Sequence, residues 1–206
     1  PSNYALENGV YSSAESSFGS RWNFKYGLRF SSFHNIGPAT IYNYDDNYVA
    51  MDSTVYRKGS VFNSYGGLEP RLAVSFMLNE ISSIKASVSR TRQYIHLAQN
   101  STAGTPLDVW FPSSPNVKPQ VSDQAAIGYF RNMWNEQLEV SVEAYYKKMR
   151  NSIDFKDHAQ LLMNRYMEGE LRIGEGSSYG LEFLVRKNTG KLNGWISYTY
   201  SKTERV

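Results

Sequence analysis

Long stretches of this sequence alternate apolar and polar residues one by one, and a period of two commits a backbone to β-strands. Trp22, Phe24, Tyr26, Leu28 and Phe30 fall on one face, opposite Asn23, Lys25, Gly27, Arg29 and Ser31. A helix would scatter both sets. Between Leu68 and Leu78, Leu72, Val74 and Phe76 oppose Arg71, Ala73 and Ser75; Ile84, Ala86 and Val88 then oppose Lys85, Ser87 and Ser89 in a strand running to about His96. Val121 to Met133 places Ala125, Ile127 and Tyr129 on one face, but Ala126, Gly128 and Phe130 leave its register open. Leu138, Val140, Val142, Ala144 and Tyr146 oppose Glu139, Ser141, Glu143, Tyr145 and Lys147, an alternation that outweighs the helix propensity of Glu and Ala. Tyr179, Leu181, Phe183 and Val185 oppose Gly180, Glu182 and Arg186, and Leu192, Ile196, Tyr198 and Tyr200 close the series against Asn193, Trp195, Ser197 and Thr199. With an earlier strand over Tyr4 to Ser16, the pattern predicts an all-β chain of about eight strands.

The connections alternate in length. Ser17 to Arg21, Asn79 to Ser83, Trp134 to Gln137 and Asn188 to Lys191 are short, whereas His34 to Gly67, Leu97 to Gln120 and Asp154 to Ser178 are long. This is the pattern of an antiparallel meander with tight turns at one end and elaborate loops at the other. The longer strands reach the roughly 9–11 residues that a tilted strand needs to cross a bilayer.

Composition narrows the partners and the chemistry. No apolar run approaches the roughly 20 residues of a membrane helix, and the start, PSNYALENGV, carries no secretion signal. A mean hydropathy of -0.51 with 15% aromatic residues suits a membrane barrel, whose strands alternate, and equally a soluble β-sandwich binding module. The absence of cysteine excludes disulfides and thiolate metal sites. The net charge of +3 is the small difference between 22 basic and 19 acidic groups, without a basic tract, so no nucleic-acid partner is expected. His34, His96 and His158 have no zinc spacing, Gly174, Gly176 and Gly180 lack a phosphate-loop context, and neither HExxH nor GxSxG occurs; no enzyme activity, cofactor or metal is expected.

Several phrases, in order, resemble the barrel of TonB-dependent outer-membrane receptors, particularly those of Bacteroidetes. They are YGLRFSSF from Tyr26, LEPRLAVSFMLNEISSIKASVSRTRQYIHLAQNS from Leu68, PLDVWFPSS from Pro106, KPQVSDQAAIGYFRN from Lys118, VEAYYKKMRNSIDFKD from Val142 and GEGSSYGLEFLVRKNTGKLNGWISYTYSKTERV from Gly174. The resemblance covers nearly the whole chain. It implies an outer-membrane barrel of about 22 strands with a separate plug, importing a scarce nutrient by TonB-dependent transport. Residues 1–206 would then be an internal part of that barrel, without the plug and without the last strands or their terminal aromatic residue. A small adhesion barrel closed from eight strands is a further reading, and unpaired edges would make an isolated segment prone to association. The implied partners are the plug, TonB, outer-membrane lipid, and an extracellular nutrient or a surface lipoprotein.

Within that resemblance the polar strand faces, with Lys25, Arg29, Arg71, Lys85, Glu139, Glu143, Glu182 and Arg186, would line a wet lumen, and the aromatic faces would meet lipid. The long loops are where a ligand would bind. Asp108, Trp110 and Phe111 in PLDVWFP, and Tyr42 and Tyr44 in IYNYDDNY, combine hydrogen bonding with stacking; Asp45 and Asp46 are weak calcium candidates because no ligand spacing surrounds them. In HAQLLMNRYMEGEL, Leu161, Leu162, Arg165 and Tyr166 are expected to form a short helix, or the latter half to extend a strand.

Overall fold

The computed structural model describes residues 4–98, 109–160 and 164–206. Among the described residues there are twelve strands: β1 (Tyr4–Phe18), β2 (Trp22–Ile36), β3 (Ala39–Tyr44), β4 (Ala50–Tyr56), β5 (Val61–Asn79), β6 (Ser82–Gln93), β7 (Ile95–Ala98), β8 (Val109–Pro112), β9 (Gln120–Met133), β10 (Leu138–Phe155), β11 (Leu171–Lys187) and β12 (Gly194–Arg205). Eight of them form one antiparallel sheet in the order β1-β2-β5-β6-β9-β10-β11-β12. The remaining four make two hairpins, β3-β4 and β7-β8, which stand within the first two long connections. A soluble sandwich needs two packed sheets, and a closed eight-stranded barrel needs β1 to meet β12; among the described residues the sheet order has neither.

Register gives each face one character. Phe18, Trp22, Phe76, Ile84, Tyr129, Val142, Phe183 and Tyr198 are successive cross-strand partners across all eight strands. One step along the strands, Asn23, Ser75, Lys85, Gly128, Glu143, Glu182 and Thr199 partner one another on the opposite face. The first set builds an aromatic face, where Trp22 packs its ring 4.3 Å from that of Phe76. The open register of β9 resolves: Phe130 turns to the polar face, its ring 4.4 Å from the Lys85 ammonium.

The strands run further toward the long loops than the alternation indicates. β5 begins at Val61 instead of Leu68, β10 continues to Phe155 and β11 starts at Leu171 instead of Tyr179. The apolar-polar rhythm breaks toward this end because loop residues cover the polar face: Ser31, Phe33 and Asn35 of β2 and Glu69 of β5 are buried there. Among the short turns, Gly19 adopts a φ of 62°, which a glycine reaches without strain.

One junction is irregular. β5 and β6 pair only from Arg71↔Ser89 downward, while β5 goes on pairing β2 up to Val61 and β6 goes on pairing β9 up to Gln93. Pro70, without an N–H to offer, sits where the pairing ends. Above it the chain leaving β6 folds over the polar face of β2: the Tyr94 ring stacks on Phe33 at 5.2 Å, and its hydroxyl lies 2.8 Å from Ser31 Oγ. Ser31 Oγ donates to Glu69 at 2.6 Å, and the Arg29 guanidinium approaches the same carboxylate at 3.9 Å.

β10 is paired by β9 on one side and β11 on the other. Val142→Pro removes a ladder N–H from the interior of the sheet and is therefore expected to destabilise it clearly more than Val142→Ala. Denaturant midpoints of the two variants in the same detergent check this, and equal midpoints would contradict the pairing.

Candidate functional site

The three long connections meet over the polar face at the end of the sheet away from the short turns. The link is Asn116, in the segment after β8. Its side-chain amide donates to the Tyr42 carbonyl of β3 at 2.9 Å and to Glu168 Oε2 at 2.6 Å, the latter in the 3-10 turn Met167–Glu170 before β11. Rings reinforce the join: Tyr42 meets Tyr166 edge-on at 4.8 Å, and the Arg172 guanidinium lies 3.8 Å over Tyr48. Gly169 is buried at the contact, where a Cβ would collide with the Tyr44 ring and the Tyr48 carbonyl, so the close approach requires glycine.

Residues 113–119 are fastened to the sheet below. Asn35 Nδ2 donates to the Ser113 carbonyl at 2.9 Å, Tyr65 Oη to the Ser114 carbonyl at 2.7 Å, and Asn151 Nδ2 to the Pro119 carbonyl at 2.8 Å. Ser114 Oγ accepts from the backbone N–H of Asn116 and of Val117, closing a local turn. Beneath, Phe111, Val117 and Leu171 form a small buried core with Ile153, Phe155 and Met167 packed against it. Burying each large side chain contributes roughly 1.5–3 kcal/mol, so the loops are held apolarly as well as by hydrogen bonds.

Two ionisable groups take their state from this packing. Burial, with the Glu168 carboxylate second, pushes the Tyr44 hydroxyl up to about 12, keeping it protonated. Burial pushes His96 down to about 4; the neutral ring sits against Phe111 at 5.5 Å, with Nε2 3.1 Å from Ser113 Oγ. Glu170 goes the other way: burial opposes its charge, but the Lys156 ammonium at 2.8 Å and the Gln160 N–H at 3.0 Å prevail and lower its pKa.

The sequence candidates separate on this frame. Tyr42 and Tyr44 lie within the three-loop junction, Tyr44 half-buried by the turn before β11. Trp110 and Phe111 are neighbours with opposite fates: Phe111 is 4% exposed in the core, and Trp110 is 65% exposed. Asp108, Leu161 and Leu162 lie outside the described residues. The latter half of that third loop stretch forms the 3-10 turn and then enters β11. Asp45 spends its carboxylate on its own loop, Oδ1 accepting from the N–H of Asn47 and of Val49, while Asp46 is exposed beside it. Among the described residues no three acidic or histidine groups gather as a metal site.

All eight charged candidates share the polar face. Lys25 lies 3.8 Å from Glu15, and Arg29 reaches Glu7 at 3.7 Å as well as Glu69. Arg71 stands opposite Gly27 and Ser89, Lys85 opposite Ser75 and Gly128, Glu139 opposite Arg186, and Glu143 opposite Glu182. Residues that the alternation did not reveal complete the arrangement: Asn116, Glu168 and Arg172 at the junction, and Ile95 and Leu97, which with Trp110 form the exposed side of the β7-β8 hairpin. A turn signal, SSPN at Ser113 to Asn116, was the one local hint.

The chain matches the family described as TonB dependent receptor-like, beta-barrel, over residues 2–206. Among solved structures it is similar to the FrpB iron transporter of Neisseria meningitidis (14% identity, TM-score 0.63, 98% of this chain and 26% of that one). The alcaligin outer-membrane receptor FauA of Bordetella pertussis is similar at 12% identity and TM-score 0.60, over 98% of this chain and 30% of that one. The ferric-catecholate import receptor Fiu of E. coli K12 is similar at 15% identity and TM-score 0.60, over 98% and 28%. The chain thus spans between about a quarter and a third of the length of these structures. No curated protein sequence matches it.

Asn116→Ala is expected to release the first and third loops together, costing about 1–3 kcal/mol of local stability and raising amide exchange over residues 39–56 and 167–170 but not in the strands below. For His96, the folded pKa lies under the ordinary 6.5, so the unfolded loop binds the proton first and stability rises with pH between the two values. The hairpin should hold constant protection above about 6.5, lose it as pH falls toward 4 and level off below; His96→Gln should flatten the profile. Exchange of residues 94–97 and 110–117, corrected for intrinsic rates, reads it.

Proposed function

The chain belongs to the TonB-dependent receptor-like β-barrel family, and from that premise we propose that it forms part of the wall and three of the outer loops of an outer-membrane receptor that imports a scarce nutrient by TonB-dependent transport. The aromatic face then meets lipid, while Lys25, Arg29, Arg71, Lys85, Glu139, Glu143, Glu182 and Arg186 face the lumen and the plug that occupies it. The quoted sequence phrases favour a receptor of the Bacteroidetes type. A surface lipoprotein covering the loops fits the same geometry.

The observation that carries this reading is the convergence of the long connections. Three loops from one side of the wall are tied together by Asn116 and pinned to the polar face by Asn35, Tyr65 and Asn151. Loops held this way present side chains at fixed positions before a ligand arrives, which reduces the ordering cost of binding. On that platform Trp110, Tyr48 and Tyr166 remain exposed at 65%, 42% and 48%, and they are the aromatic contacts available to a ligand. Phe111 is withdrawn into the core and serves the platform itself.

Deleting the gene is expected to abolish energy-dependent uptake of one member of a panel of ferric chelates, glycans, peptides and cobalamins. Unchanged uptake across the panel rejects the reading. In the complete receptor Trp110→Ala should weaken ligand binding on the order of tenfold or more at unchanged outer-membrane abundance, whereas Phe111→Ala should loosen the loops themselves.

A further inference from the structure

We propose that the aromatic face also holds a specific lipid: a phosphate-bearing lipid of the outer leaflet, its headgroup bound by Arg90, Lys148 and Arg150 and one acyl chain lying in the groove below them. The inference rests on the outer-membrane reading above and adds a site to the lipid-facing surface.

The groove comes from small residues. Ala86, Ala125 and Ala144 lie on three adjacent strands of the aromatic face, through the pairings Val88↔Ala125, Ala86↔Ile127 and Ala144↔Ile127. Their short side chains leave a concavity of about 410 Å³, rimmed by Leu72, Val88, Ile127 and Tyr146. A second concavity of about 420 Å³ shares Leu72, Val88, Ala125 and Tyr146 and continues toward the long loops, ending at Arg90, Asp123 and Lys148. An apolar channel that opens onto cations has the shape and polarity of a lipid with an anionic head.

The depth is set by sequence register. Along the groove Leu72, Val88, Ala125 and Tyr146 are successive partners and carry no charge, and the row continues through Tyr179 to Lys202 on β12. The next outward residues toward the loops on β6, β9 and β10 are Arg90, Asp123 and Lys148, which pair with one another across the strands. The change from hydrocarbon to headgroup therefore falls between Tyr146 and Lys148, with tyrosines at the boundary, where such residues concentrate.

The charges there do not cancel. Arg90 grips Asp123 through Nε at 2.6 Å and Nη2 at 3.0 Å, and Arg150 Nη2 reaches the same carboxylate at 2.5 Å. Lys148 lies 3.0 Å from Glu175. Three cations face two carboxylates, and Asp123 is shared between two guanidiniums, so it cannot neutralise both. Asp123 holds Arg90 and Arg150 in place while they remain 39% and 41% exposed. The guanidinium donors not engaged by Asp123 match phosphate oxygens in geometry as well as charge.

The test uses the complete receptor in mild detergent, stripped of co-purified lipid and titrated with bis-phosphorylated lipid A or with its enzymatically dephosphorylated form, the retained lipid being counted by native mass spectrometry. The phosphorylated form should bind about tenfold more tightly, and R90Q/K148Q/R150Q should remove that preference. R131Q/K187Q/K191Q, an equal loss of charge at the short-turn end, should leave it intact. Equal retention of both lipid forms by the wild type overturns the site without recourse to any variant, as does a triple variant indistinguishable from wild type. Outer-membrane fractionation separates the two readings: a wild-type receptor found there without phosphate preference sinks only the lipid site, whereas its absence from that membrane sinks both.

Discussion

A one-residue slip between any two neighbouring strands of the sheet would carry lysines and glutamates onto the aromatic face. Register is the constraint on which the rest depends, because the side-chain period of a strand is two and each shift by one inverts every residue beyond it. Here seven successive pairings keep faith with one another: Lys25 stays beside Glu15, Arg29 beside Glu69, and Trp22 beside Phe76. The pairs enforce the register more than they stabilise the sheet, since half-exposed ion pairs contribute little. What they exclude is the alternative in which a charge faces the apolar side.

This explains why the fold was legible and where legibility stopped. The alternation of Trp22 to Phe30 and of Leu138 to Tyr146 reports a strand with one apolar and one wet face, and such strands appear in the structure with those faces. The same rule fails above Ser31, at Gly66 and Gly67 and beyond Tyr146, because polar residues there are covered by loops instead of water: Ser31, Asn35 and Glu69 are buried and hydrogen-bonded. A serine in a strand reads the same from sequence whether its partner is solvent or the Tyr94 hydroxyl. The two loop hairpins were invisible for a related reason. Each of their strands has four to seven residues, too few for periodicity to separate from chance, and their stability comes from what they pack on.

The site was legible in its residue types and not in its partnerships. PLDVWFP announces an aromatic loop, but the opposite orientation of Trp110 and Phe111 follows from the β7-β8 pairing, which sets His96 against Phe111 and Leu97 against Trp110. Neighbours on a strand must point to opposite sides, so once Phe111 enters the core, Trp110 is bound to leave it. IYNYDDNY drew attention to its carboxylates, yet Asp45 folds its own loop and the tyrosines make the inter-loop contacts. Asn116 carried only the turn signal of SSPN, because its role depends on a carbonyl 74 residues away and a carboxylate 52 residues away.

The irregular β5-β6 junction ties these levels together. Where the ladder stops at Arg71↔Ser89, the upper part of β6 stays on β9 but no longer follows β5, and the chain after Gln93 crosses the polar face to put Tyr94 on Phe33. Had the pairing continued, Tyr94 and the hairpin behind it would stand away from β2, and residues 113–117 would have no Asn35 or Tyr65 to hold them. A proline at the end of a ladder is a small change in donor count, one N–H fewer. Its position beside the break lets a regular wall give rise to loops that fold back over its own polar face.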